Sequence, residues 1–179
     1  MEWLWYVLYG VGGLVALLVL FGLVMYIIGR GMPEEARVSV TMRLNQPAEK
    51  VYAVIADPLS WPTWDPGVDK VEQIPMADGG FKVRMTMGRN VMTLLRTRHE
   101  PPHLLEMTIQ DEGANIFSGS WRHEISAEGD GCVVKLTEDG KIRPPMFRAM
   151  ARKLFDPAMY LKRHFRRLAA KFGEEPRVS

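Results

Sequence analysis

Residues 45–66 read NQPAEKVYAVIADPLSWPTWDP, and the rest of the chain is organised around them. Pro47 suits the first turn of a helix, where its missing N–H costs nothing. Asn45 or Gln46 can cap that helix, and Glu49 favours its positive end. Ala48, Val51, Tyr52 and Ile55 fall at i, i+3, i+4 and i+7 and make one apolar face. Asp57-Pro58 stops the helix, because a residue before proline is pushed out of the α region. Trp61 and Trp64 then stand among Pro58, Pro62 and Pro66. Two indoles on stiff backbone predict the wall of something apolar; a buried aromatic corner is the plainer alternative.

Outward from this stretch, the chain alternates. Val38, Val40, Met42 and Leu44 point one way and Arg37, Ser39, Thr41 and Arg43 the other, as in a half-buried strand. Further strands are predicted at Val68–Ile74, Phe81–Met87, Val91–His99, Leu104–Gln110, Ile116–Ala127 and Cys132–Ile142. Turns are predicted between them, including Asp78-Gly79-Gly80 and Asp111–Asn115. Phe117, Gly119, Trp121, His123 and Ile125 share one strand face. The period then changes. Phe147, Met150, Ala151, Leu154, Phe155, Ala158, Leu161, Phe165, Leu168 and Phe172 follow a helical stripe. Asp156-Pro157 either kinks it or starts a second helical piece. The stripe keeps its phase across the proline, so both pieces are expected to lie on the sheet. The fold class is therefore α+β, a curved antiparallel sheet wrapped around a long C-terminal helix.

One segment stands apart. Trp3 to Ile28 carries no charge over 26 residues, and a bilayer-spanning helix needs ~20 apolar residues. Trp3, Trp5, Tyr6 and Tyr9 at one end and Tyr26 near the other resemble an aromatic belt. A cleaved signal peptide would want a basic start and a shorter apolar run; here the early charge is Glu2. Arg30, Arg37 and Arg43 follow the span and none precedes it, which predicts the N-terminus outside and the remainder in the cytoplasm. Gly10 and Gly13 fall a residue short of a helix-packing motif. The organisation expected is a membrane anchor over 1–29, a linker over 30–35, a globular domain over 36–173 and a tail over 174–179. Gly29–Glu35, at ~3.5 Å per residue, reaches at most ~25 Å and keeps the domain at the membrane surface.

The order of elements, with PAEKVYAVIADPLSWPTWDP after the first strand and FDPAMYLKRHFRRLAAKF at the end, resembles the START-like, Bet v 1-like superfamily. The nearest branch is polyketide cyclase/dehydrase and lipid transport. The resemblance covers about Arg37 to Phe172. It implies a helix-grip fold with an apolar cavity between sheet and C-terminal helix. The same fold serves lipid carriers, hormone receptors, quinone-binding proteins and a few cyclases, so it does not fix a function.

Chemistry-bearing residues are sparse. His99-Glu100-Pro101-Pro102-His103 spells a zinc motif that works on a helix, but two prolines make a loop the better reading. His123 and His164 do not complete a metal site, and no metal or cofactor is expected. Cys132 is the single cysteine, so no internal disulfide forms. Tyr52, Arg84, Arg96, Glu106 and His123 are the acid/base candidates; solvent-facing strand positions are their plainer reading. The chain has 12 methionines among 179 residues, and methionine adapts to ligands of varied shape. The predicted lining is Trp61, Trp64, Met85, Met87, Met107, Phe117, Trp121, Met150 and Leu154. A one-residue slip in register would exchange the strand members.

Lys141 to Lys171 is strongly basic, with Arg148, Arg152, Arg166 and Arg167 among its cations. It is read as a solvated face or one held near anionic headgroups. The net charge of +2 and the lack of interleaved exposed aromatics argue against nucleic acid. The expected function is a membrane-anchored, non-enzymatic carrier or sensor of a lipid, isoprenoid quinone or polyketide-like molecule. A polyketide cyclase or dehydratase is one alternative. A tethered interaction module with a filled interior is the other.

Overall fold

A computed structural model describes residues 2–77, 80–112 and 116–178. The expected turns at Asp78-Gly79-Gly80 and Asp111–Asn115 rest on residues 78–79 and 113–115, outside the described residues. The chain forms two compact units. One holds the residues through Glu34 together with Ile142–Asp156; the other holds Glu35–Lys141 and the chain from Pro157 onward.

The larger unit is built on an eight-stranded antiparallel sheet. Its strands are β1 (Glu35–Leu44), β2 (Lys70–Pro75), β3 (Phe81–Met87), β4 (Asn90–Glu100), β5 (Leu104–Asp111), β6 (Phe117–Glu128), β7 (Gly131–Ile142) and β8 (Arg177–Val178). Strands β2 to β7 follow one another as a meander, and β1 closes against β7 and carries β8 at its edge. The last residues, read above as a tail, thus contribute a short strand beside Met42 and Arg43. Helix α1 (Glu2–Arg30) belongs to the smaller unit. Helix α2 (Ala48–Ile55) buries Ala48, Val51, Tyr52 and Ile55, the four positions its periodicity marks. Its cap differs from expectation. Pro47 occupies the cap, while the Asn45 amide and the Gln46 side chain donate to the Glu174 carboxylate at 2.8 and 2.9 Å. A short 3-10 turn, Pro58–Thr63, follows and buries Pro58 and Trp61.

Alternation decides the inner face of the sheet. Val40, Met42, Leu44, Val83, Met85, Leu94, Leu105, Met107, Ile109, Trp121, Ile125, Val134 and Leu136 are all buried. They pack with α2 and with α4 (Met159–Lys171), which buries Leu161, Phe165, Leu168 and Ala169. At ~1.5–3 kcal/mol per fully buried large apolar side chain, this layer dominates the stability of the unit.

The smaller unit packs α1 against α3 (Pro145–Lys153). Helix α1 is long and apolar enough to cross a membrane, and its side chains are exposed along almost its whole length. A Cβ on Gly29 would overlap the Pro145 carbonyl oxygen, so only glycine permits this approach of the two backbones. The stripe expected to lie wholly on the sheet is therefore divided. Asp156-Pro157 separates two helices, and α3 belongs with α1. Its buried residues are Arg148 and Ala149.

Candidate functional site

The interior of the larger unit has an apolar part and a polar part. The apolar part is a pocket of about 210 Å³ lined by Pro58, Gly80, Phe81, Val83, Leu94, Arg96 and Met107. Val83 and Leu94 are register partners across β3 and β4, which brings them side by side on the inner face. Arg96 lies two residues along β4 from Leu94, and its guanidinium donates to the Ala56 carbonyl at 3.0 Å. The volume is below the ~300–1,000 Å³ of sites for drug-sized ligands. It suits a small apolar molecule or the end of a larger one.

The polar part begins one strand further on, since Met107 pairs with Trp121. The Trp121 ring stacks on Tyr160 at 5.5 Å and lies 6.4 Å from Trp61 and 6.0 Å from His164. Trp64 is 5.6 Å from His164, which sits on the buried face of α4. Asp65, which follows Trp64, is almost fully buried and faces His164 Nδ1 at 3.3 Å. Its other oxygen accepts from the Gly67 amide at 2.8 Å and from the Arg167 guanidinium. A Cβ on Gly67 would collide with that guanidinium, so glycine leaves the space through which Arg167 reaches inward.

The charges at this cluster follow from these contacts. Burial works to raise the Asp65 pKa, but the hydrogen bonds from His164 and Gly67 and the charge of Arg167 outweigh it, holding the carboxyl below its ordinary value. An ionised carboxylate only accepts, so the His164 Nδ1–H donates to it, which leaves Nε2 as the other ring nitrogen. That nitrogen is buried and has no partner among the described residues. His123 is fully buried, its ring 6.3 Å from that of His164, and neither of its nitrogens has a partner there either. Burial, with a smaller contribution from His164, lowers the His123 pKa to about 3. His123 is thus neutral at neutral pH. Nearby, the Trp121 indole donates to Glu138 at 2.6 Å, and burial raises the Glu138 pKa against that bond. Burial also raises the Tyr160 pKa, and its hydroxyl rests 3.1 Å from the Met87 sulfur. A neutral imidazole oriented by a carboxylate can act as a hydrogen-bond acceptor or a general base.

The predicted lining divides in the structure. Trp61, Met85, Met107 and Trp121 are buried on the inner side, and Trp64, Met87 and Phe117 are half-buried against the same core. Only Met107 of the nine touches the 210 Å³ pocket. Much of the hollow expected between sheet and helix is occupied by Trp61, Trp121, His123, His164 and Phe165. Met150 and Leu154 lie in the other unit, and Leu154 is 49% exposed. Among the acid/base candidates, His123 and Tyr52 are buried, and Tyr52 donates to the Leu104 carbonyl at 3.4 Å. Arg84 pairs with Glu112 and Glu106 with Arg122 away from the core. His99-Glu100-Pro101-Pro102-His103 forms the end of β4 and a turn, not a helix. Among the described residues, no group of three or more His, Cys, Asp or Glu side chains could hold a metal.

The sequence reading missed Phe81, Val83 and Leu94 as lining residues, although their alternation with Met85 and Met92 marked them. It also missed Asp65, His164 and Arg167 as a group. The available signal was His164 itself, a polar side chain in the stripe formed by Leu161, Phe165 and Leu168.

The comparisons agree with this architecture. The chain is 32% identical over 114 residues to the actinorhodin polyketide synthase bifunctional cyclase/dehydratase of Streptomyces coelicolor, covering 60% of this chain and 35% of that protein. It therefore spans about a third of the length of this curated relative. Among solved structures, the Zhui aromatase/cyclase of Streptomyces sp. R1128 matches with a TM-score of 0.62 and 19% identity, covering 76% of this chain and 93% of that one. A START superfamily protein from Mycobacterium smegmatis matches at 0.58 with 16% identity, over 75% and 95% of the two chains. At such identities the structural matches establish the fold. The family model described as polyketide cyclase/dehydrase and lipid transport matches residues 35–173, and the chain belongs to that family.

Proposed function

We propose that the larger unit binds an apolar small molecule, or the apolar end of a lipid, quinone or polyketide-like molecule, and that α1 anchors it at the membrane in which such molecules dissolve. The observation that supports this most directly is the pocket between Pro58, Phe81, Val83, Leu94 and Met107. Its walls are almost wholly apolar, and Arg96 supplies a cation at its edge for a polar ligand group. Each Å² of apolar ligand surface removed from water contributes ~25 cal/mol. The anchor supplies a high local concentration of ligand rather than affinity. The basic residues of α4 that remain exposed, Arg163, Arg166 and Lys171, would favour an anionic surface.

A second reading, cyclase or dehydratase chemistry, is favoured by a different observation: the unpartnered nitrogens of His123 and His164 beside Asp65. A substrate would have to displace Trp61 or Trp121 to reach them. The carrier reading demands no such opening.

Native mass spectrometry of the full chain, extracted from membranes in mild detergent, tests the proposal. A reproducible apolar adduct is expected, and it should disappear in Met107→Trp, which fills the pocket. Absence of any adduct, together with indifference to added quinone, fatty acid and aromatic polyketide probes, would overturn it. Turnover of a polyketide probe that His164→Gln abolishes would transfer the assignment to the enzymatic reading.

A further inference from the structure

Helix α3 is amphipathic with its faces reversed. Arg148 is 5% exposed. Its guanidinium donates to the carbonyls of Met32 at 2.6 Å, Arg143 at 2.7 Å and Ile142 at 3.1 Å. One turn later Arg152 donates to the Pro33 carbonyl at 2.8 Å. These two arginines clamp the segment that follows α1, and the side chains on the opposite face are Phe147, Met150 and Leu154. Phe147 is 44% exposed, Leu154 49% and the adjoining Phe155 54%. A helix end in water shows the opposite arrangement, with apolar groups inward and cations outward.

The contacts with α1 set the depth of this face. Pro145 packs against Gly29, and the Met146 sulfur lies 3.9 Å from where a Cβ on Gly22 would be. Gly22 is inside the uncharged run that ends at Ile28. At 1.5 Å per residue it lies ~12 Å below Arg30 along the helix axis. The start of α3 therefore stands beside the last turns of the span, at the level of the boundary between acyl chains and headgroups.

We propose that α3 and the Leu154-Phe155 segment form a second membrane contact, an in-plane element whose Phe147, Leu154 and Phe155 side chains enter the lipid interface beside the exit of α1. The proposal rests on the reading of α1 as a membrane span. Interfacial elements of this kind bury an apolar face ~5–10 Å into the boundary and keep cations at headgroup level; Lys153, exposed between the two faces, is placed for that role. The consequence is that the chain returns to the membrane before α4, so that both ends of the sheet's connection, at Glu35 and Lys141, leave from one lipid-anchored clamp.

The test uses the full chain with Cys132→Ser, reconstituted into mixed phosphatidylcholine–phosphatidylglycerol vesicles. An environment-sensitive fluorophore is attached in turn at Phe147→Cys, Leu154→Cys and Phe155→Cys. Leu18→Cys reports on the span. Asp130→Cys reports on water, because Asp130 is exposed in the turn between β6 and β7. Labels on the α3 face should emit to the blue of the Asp130 label and lose most of their emission to lipids carrying a shallow nitroxide quencher. If they match the Asp130 label while the Leu18 label is quenched by deep nitroxides, the proposal fails and the anchor stands. If the Leu18 label is not quenched, the anchor reading fails and takes the proposal with it. Shielding that persists in detergent and grows with protein concentration would assign the face to a second copy and overturn the lipid assignment.

Discussion

Helices α3 and α4 descend from one continuous stripe in the sequence, yet they solve opposite problems. Helix α4 turns Leu161, Phe165 and Leu168 into the core and leaves Arg163 and Arg166 outside. Helix α3 turns Arg148 inward and leaves Phe147 outside. Periodicity is the same in both, because it records only that a helix has two unlike faces. Which face is buried depends on the partner. A sheet of apolar side chains takes aliphatic and aromatic groups. The carbonyls of Met32, just past the end of α1, and of Ile142 and Arg143, between β7 and α3, take a guanidinium, whose fork reaches all three.

The sharpest way to break this contrast is to remove one aromatic from each helix. Phe165→Ala should destabilise the larger unit by ~3–5 kcal/mol, because Phe165 is fully buried. Phe155→Ala should change stability in detergent by no more than ~0.5 kcal/mol. Denaturant unfolding followed by tryptophan fluorescence reads both, and equal losses would erase the distinction. Arginine gives the mirror image. Arg148→Ala removes three hydrogen bonds and orphans their carbonyls, for a loss of about 2–3 kcal/mol. It should be seen as protease cleavage near residues 30–35. Arg148→Lys should not rescue it, because a point-like ammonium cannot reproduce the fork of a guanidinium. Arg166→Ala should be neutral to within ~0.5 kcal/mol. A protected linker in Arg148→Ala would show that the clamp is incidental.

Much of the larger unit was legible because its patterns are local. The α2 face needs only i, i+3, i+4 and i+7, and strands β1, β3 and β6 need only alternation. Alternation puts Met85, Met107 and Trp121 each on one face of its strand, and it is the packing that turns those faces inward. What was not legible depends on distance. Asp65 and His164 are 99 residues apart, and nothing near either announces the other. Glu174 captures the start of α2 from the far end of the chain. The hollow was overestimated for a related reason. Trp61 and Trp64 are expected as a wall and Trp121 as lining, but whether an indole lines a space or fills it is settled by the residues opposite, here His164 for Trp61 and Trp64, and His164 and Tyr160 for Trp121. The destination of α3 was hidden because phase continuity across Asp156-Pro157 carries no information about the partner.

The final contrast is electrostatic. The clamp of α3 uses a guanidinium, whose charge is fixed. The interior beside α4 holds groups that titrate. His123 has its pKa lowered from 6.5 to about 3, so the unfolded chain binds a proton in that interval and the folded chain does not. Its stabilisation is complete above pH 6.5 and is lost as pH falls toward 3. Asp65 acts in the same direction but lower, where its depressed carboxyl begins to protonate. Glu138 acts in the opposite sense, since a raised carboxyl favours the folded state only while it is protonated, and that contribution fades as pH rises above 4.5. From about pH 6 to about pH 5 the histidine governs, with a loss of ~1 kcal/mol in the larger unit. His123→Leu should flatten the profile across that interval, and the protease resistance of the clamp should not change over it. A wild-type profile already flat there would mean that His123 gains a proton without leaving the core.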